Sequence, residues 1–178
     1  MKFVGFLRGI NVGGHHKLPM AELKKVLSNM GYTHTITLLN SGNIIFESEE
    51  ISAKKIEAAI SLRLKKEFHF EVPVIIRKAI EIEKLYRQEP FKQVEIGEKT
   101  RLYITFLKYA PKTNIAAPWR SEDKSFQIIA AENQMILSHV DLQISGTIEA
   151  MKNLEKLAGK DLTTRNWSTI EKIIKKLD

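Results

Sequence analysis

Thr33-His34-Thr35-Ile36-Thr37-Leu38-Leu39, then Asn40-Ser41-Gly42, then Asn43-Ile44-Ile45-Phe46-Glu47-Ser48: the reading of this stretch decides the fold. Two runs rich in β-branched and aromatic residues flank a short polar turn that ends in glycine, so the segment reads as a β-hairpin. On each side of it the apolar period changes from two to 3.6. Upstream, Leu23, Val26, Leu27 and Met30 form an i, i+3, i+4, i+7 stripe, with Pro19 suited to its first turn and Gly31 to its C-terminal cap. Downstream, Ser52 is placed to cap a helix striped by Ile56, Ala59, Ile60, Leu64 and Phe68. Beyond these helices lie two further strand-like runs, Lys2–Arg8 and Val72–Arg77, and a short helix marked by Ile82, Leu85 and Tyr86 stops before Pro90.

The order β-α-β-β-α-β predicts a ferredoxin-like unit over residues 1–90, with both helices on one face of a four-stranded antiparallel sheet. Residues 91–178 read as a related, smaller α+β unit packed on the first. Its expected parts are a strand over Thr100–Lys108, an irregular or short helical connection over Lys112–Trp119, and a hairpin of Ser125–Ala131 and Gln134–His139. A helix through Ile148, Met151, Leu154 and Leu157 then ends at Gly159, and a last helix carries Trp167, Ile170, Ile173 and Leu177. Ser168 and Glu171 have capping-box spacing, and Thr163-Thr164-Arg165-Asn166 is expected to lead into that helix as a cap.

Composition removes several chemistries. The 178 residues contain no cysteine, which excludes thiol nucleophiles, disulfides and iron–sulfur ligation and fits a reducing compartment. No run approaches the roughly 20 apolar residues that span a bilayer, and no signal-peptide pattern follows Met1, so a cytoplasmic protein without a membrane partner is expected. The net charge of +7 is spread along the chain, with 14 basic against 10 acidic residues before position 91 and 14 against 11 after it. Such a surface attracts phosphates and nucleic acid without singling out either. His15, His16, His34, His69 and His139 are scattered, and neither Asp nor Cys completes a set beside the adjacent pair, so neither metal nor other cofactor is expected. No Gly-x-Ser-x-Gly elbow occurs, and carboxylates such as Glu22 and Glu47 have no spacing that identifies an acid–base pair.

The segment Arg8-Gly9-Ile10-Asn11-Val12-Gly13-Gly14 is the one loop whose residues point to a ligand. Glycines allow positive φ and close approach to the main chain, successive amides can form an anion nest, and the loop leads into a helix N-terminus. Arg8 and Lys17 bracket it, so Arg8, Asn11, Gly13, Gly14 and Lys17 are the candidate anion contacts. Ser41 and Asn43 join them from the hairpin turn, although a turn alone accounts for those residue types. Arg165 is the candidate from the second unit, with pairing to a carboxylate as its alternative task. Two observations oppose the nest: Pro19 removes one helix amide, and the spacing matches neither the phosphate-binding P-loop nor the dinucleotide fingerprint. A tight structural connection is therefore the competing reading of the loop.

A basic ferredoxin-like unit also raises the RNA recognition module, which stacks bases on aromatics of its central strands. Phe3 occupies the first-strand position, but Asn43 and Ile45 stand where the third strand needs aromatics, so the stacking platform is missing.

Three separated motifs give the chain a family resemblance: Leu7-Arg8-Gly9-Ile10-Asn11-Val12-Gly13-Gly14, Leu18-Pro19-Met20-Ala21-Glu22-Leu23 and Ser41-Gly42-Asn43-Ile44-Ile45-Phe46. With Pro90-Phe91 and Thr163-Thr164-Arg165-Asn166-Trp167 they resemble the bacterial domain-of-unknown-function family 1697 along essentially the whole chain. The resemblance implies two α+β subdomains, the first ferredoxin-like, and brings no activity, substrate or catalytic residue. By analogy it suggests that these segments meet around one site. Asn40 departs from the glutamine expected in many relatives. The function expected from the residues is binding of an anionic ligand, a phosphorylated small molecule or nucleic acid, at the glycine-rich loop. The alternative is an enzyme acting on a small polar or phosphorylated substrate in a cleft between the subdomains; whether a reaction occurs and the oligomeric state stay open.

Overall fold

The computed structural model describes residues 1–111 and 114–177. Lys112, with which the expected 112–119 connection begins, lies outside them. By its internal contacts the chain divides into two compact units, Met1–Arg87 with the residues from Ile173 onward, and Gln88–Lys172.

The first unit contains β1 (Lys2–Leu7), α1 (Met20–Asn29), β2 (Thr33–Leu38), β3 (Asn43–Glu47), α2 (Ala53–Phe68), β4 (Val74–Lys78) and α3 (Ala79–Arg87). Its sheet has the order β2-β3-β1-β4 with every neighbouring pair antiparallel, which is the ferredoxin-like arrangement. Phe3, Leu7, Ile44, Phe46, Val74 and Ile76 from one face of the sheet join Leu23, Leu27, Ile56, Ile60 and Leu64 of α1 and α2 in a single core. Ser52 caps α2 by accepting from the Lys55 amide at 3.4 Å, and His69 ends it in the left-handed conformation. Pro19, extended at φ −63°, is the residue before α1 rather than part of its first turn, and Met30 closes the helix one residue ahead of Gly31.

Phe3 sits on the helix-covered face, stacked on Phe46 with ring centroids 5.8 Å apart and no exposed surface. Strand alternation puts Val4, Phe6, Asn43 and Ile45 on the other face. Phe3 thus faces the helices, and on the opposite face β1 offers Phe6 beside Asn43 and Ile45 of β3.

The edge strand β4 is closed by a charged pair. Glu57, on α2, accepts from the Ile76 amide at 2.8 Å, while Arg77 Nη1 donates to the Ile76 carbonyl and lies 3.9 Å from Glu57 Oε1. Both side chains are about nine-tenths buried. Burial pulls the Arg77 guanidinium below its ordinary range, against the opposing charge of Glu57. An exposed strand edge invites pairing with other chains, and here the Ile76 amide and carbonyl on that edge are occupied.

The second unit contains β5 (Thr100–Leu107), β6 (Trp119–Arg120), β7 (Phe126–Glu132), β8 (Met135–Asp141), α4 (Thr147–Ala158) and β9 (Leu162–Asn166), after which α5 (Trp167–Leu177) begins. The sheet order is β6-β7-β8-β5-β9, all antiparallel. Leu154 and Ala150 of α4 pack with Tyr103, Leu107, Phe126, Ile128, Ile136 and Val140 on one face. The segment 163–166 is an edge strand and not a helix cap, and Ser168 is the second residue of α5, so it cannot cap that helix. Among the described residues no helix is long and apolar enough to cross a membrane.

Candidate functional site

The glycine-rich loop is a miniature hairpin. After β1, the Leu7 amide donates to Gly42 O at 2.8 Å and the Arg8 amide to Pro73 O at 2.9 Å. The chain then turns out and back: the Asn11 amide reaches His16 O and the His15 amide reaches Val12 O, both at 3.1 Å. Gly13 and Gly14 form the two-residue tip at φ +59° and +78°, the positive pair that a type I′ turn needs. Ile10 and Leu18 anchor the base in the core at 2% and 0% exposure, while residues 12–17 are exposed.

Asn11 fixes the geometry of this hairpin. Its Oδ1 accepts from the Leu18 amide at 2.8 Å, and its Nδ2 donates to Leu18 O at 3.0 Å and to Asn40 O at 2.9 Å. Both of its N–H donors are thus committed inside the protein, and it stands at φ +55°, which asparagine tolerates better than most residues. The third bond ties the loop to the turn between β2 and β3. In that turn Asn43 Nδ2 donates to Leu38 O at 2.9 Å and to Ser41 Oγ at 3.1 Å. Arg8, Asn11, Gly13, Gly14, Lys17 and Ser41 therefore belong to two loops joined at one end of the first sheet, and Asn43 to the start of β3 beside them.

His16 is also part of the frame. Its Nδ1, which must carry a proton, lies 3.1 Å from Gly9 O, and its ring stacks on Phe70 at 4.6 Å and 15°. His15 remains on the exposed tip. Among the described residues no three or more His, Asp or Glu gather as metal ligands. Glu22 is paired with Lys25 at 2.9 Å, and Glu47 with His34 at 3.3 Å, both on the surface.

Arg165 belongs to the second unit and lies in β9, opposite Ile104. It is 8% exposed and donates from Nη1 to Thr163 Oγ1 at 2.8 Å and to Thr164 O at 2.9 Å. Burial lowers its guanidinium to about 10. Arg165, the anion candidate of the second unit, is thus a buried side chain with at least these two bonds within its own strand. Glu57, Arg77 and the His16–Phe70 stack escape a reading of the sequence, because each depends on partners brought close only by the fold.

A ferredoxin-like unit with a braced glycine hairpin, followed in the chain by a five-stranded α+β unit, defines the class of protein. The chain belongs to the DUF1697 family, described as proteins of unknown function, whose model matches residues 1–137 and so ends before the Thr163–Trp167 motif. A conserved bacterial protein from Streptococcus pneumoniae has a similar solved structure, with a TM-score of 0.73 and 22% identity over 99% of this chain and 98% of the other. At that identity the likeness establishes the fold alone. None of the curated proteins compared with the chain matches it.

Proposed function

We propose that the first unit binds a phosphate-bearing ligand at the tip of the glycine hairpin. The observation that carries this reading is the exposed Gly13–Gly14 turn: among the described residues neither amide has a partner, and Arg8 and Lys17 bracket the loop in the sequence. Two adjacent unpaired amides in an exposed turn are a donor pair that suits a phosphate oxygen. Lys17 and Arg8 supply charge-assisted contacts, and Ser41 a hydroxyl from the adjoining turn. Asn11 and Asn43 hold the two loops in register, which spares the ligand the entropic cost of ordering them. The reading assigns binding and no reaction, and Arg165 has no part in it.

Thermal shift with pyrophosphate, a nucleoside diphosphate and short RNA and DNA oligomers, at low and moderate salt, tests the proposal. A small phosphorylated compound at about 100 times its Kd should add roughly 2.7 kcal/mol, a rise of several degrees in Tm. Lys17→Ala should weaken that binding about tenfold, the lower range for one charge-assisted bond. Stabilisation by oligomers alone, fading as salt rises, would identify nucleic acid backbone as the ligand. No stabilisation by any phosphate, or equal stabilisation of wild type and Lys17→Ala, would overturn the site.

A further inference from the structure

The second unit has an open cavity of about 820 Å³ whose floor is one row of side chains. The register pairs Arg120 of β6 with Gln127 of β7, and Gln127 with His139 of β8. Phe126, Ile128 and Val140 point into the core with α4, so strand alternation turns Gln127 and His139 to the opposite face. We propose that this row is a binding site for a small polar molecule with a carboxylate or phosphate group, the anionic group seated on Arg120 and Lys124 and the polar body on His139.

Arg120 is already oriented for the task. Its Nε and Nη2 both donate to Gln127 Oε1, at 3.1 and 2.7 Å, and this fixes the guanidinium plane. Of its five N–H donors, three have no partner among the described residues, and a planar set of this kind matches a carboxylate or phosphate. Lys124 stands on the β6–β7 turn beside it. The neighbouring carboxylate, Asp123, is occupied by the Ser121 and Ser125 hydroxyls, at 2.6 and 2.8 Å, rather than by that lysine.

His139 is half-buried, and its ring has no hydrogen-bond partner among the described residues. Burial first, and the Arg120 charge second, hold its ring below the ordinary histidine value, although Asp141 pulls the other way. A neutral imidazole offers the ligand one donor and one acceptor. Acidic residues on the wall set a limit on charge. Glu89 pairs with Lys92 at 3.2 Å, and the further carboxylates of Asp141 and Glu95 in the lining disfavour a long polyanion. One anionic group with a neutral or cationic remainder fits this balance.

NMR titration of the full chain, following the His139 ring and the Arg120 Nε–H, with glutamate, O-phosphoserine and a short DNA oligomer as probes, decides the matter. Saturable shifts of both signals with either amino acid are expected, and the better of the two distinguishes carboxylate from phosphate. Arg120→Gln should weaken that binding about tenfold, and Lys124→Ala, on an exposed turn, should act in the same direction. Lys17→Ala should leave it unchanged, which separates this cavity from the glycine hairpin. Silence with both amino acids, a response to DNA alone, or equal affinity in wild type and both cavity variants would overturn the proposal.

Discussion

Glu57→Ala should lower the stability of the first unit by about 3–5 kcal/mol, the range found when one partner of a buried ion pair is removed. The variant leaves the Ile76 amide without its acceptor and removes the larger of the two negative charges, Glu57 and Glu81, that act on the Arg77 guanidinium, about nine-tenths buried. An unmade hydrogen bond at a buried donor alone costs about 1–3 kcal/mol. Glu57→Gln keeps an acceptor for Ile76 and loses only the charge, so its cost should be smaller. Urea unfolding followed by circular dichroism measures both, whereas tryptophan fluorescence does not suit, since Trp119 and Trp167 both lie in the second unit. The alanine variant should also self-associate more readily, because the free edge of β4 is then open. A wild-type midpoint in Glu57→Ala would show that the pair contributes nothing.

Gly42→Ala is the second substitution with a large expected cost, about 2–4 kcal/mol. Gly42 has φ +75°, where any side chain meets roughly 1–2 kcal/mol of backbone strain. A Cβ built there falls 2.6 Å from Ile10 Cδ1 and 2.8 Å from Leu7 Cβ. Ile10 can yield at its flexible end, but Leu7 Cβ cannot move without β1, so crowding adds to the strain. Ile10→Val in the same chain should recover part of the loss, with a coupling of about 1 kcal/mol in a double-mutant cycle. Gly14→Ala is the control: its φ is also positive, at +78°, yet a Cβ there meets nothing within 4 Å, and only the backbone term should appear. Equal costs for the two alanines would remove the crowding argument.

The first unit was legible because its signals are local. Asn40-Ser41-Gly42 marks a turn between two β-branched runs, and Ser52 precedes an apolar stripe, so neighbours in sequence suffice. The strand Leu162–Asn166 was not legible, since Thr163-Thr164-Arg165-Asn166 lacks an apolar alternation and has the composition of a cap. An edge strand tolerates those polar residues, and its pairing with β5 lies some sixty positions away in the chain. Glu57 carries no signal of its own in the sequence, because its partners stand at Ile76 and Arg77. The glycine loop was found as an unusual segment, but the role of Asn11 depends on Leu18 and Asn40 and had to come from the fold. The Arg120–Gln127–His139 row needs the register of three strands, one of them only two residues long.

Amide-resolved NMR of the full chain during titration with pyrophosphate tests the glycine hairpin most directly. The Gly13 and Gly14 amides should move together, saturate at one affinity and respond less strongly in Lys17→Ala. If those two resonances stay fixed while pyrophosphate binds elsewhere, or if nothing binds, the hairpin is a structural connection and not an anion site.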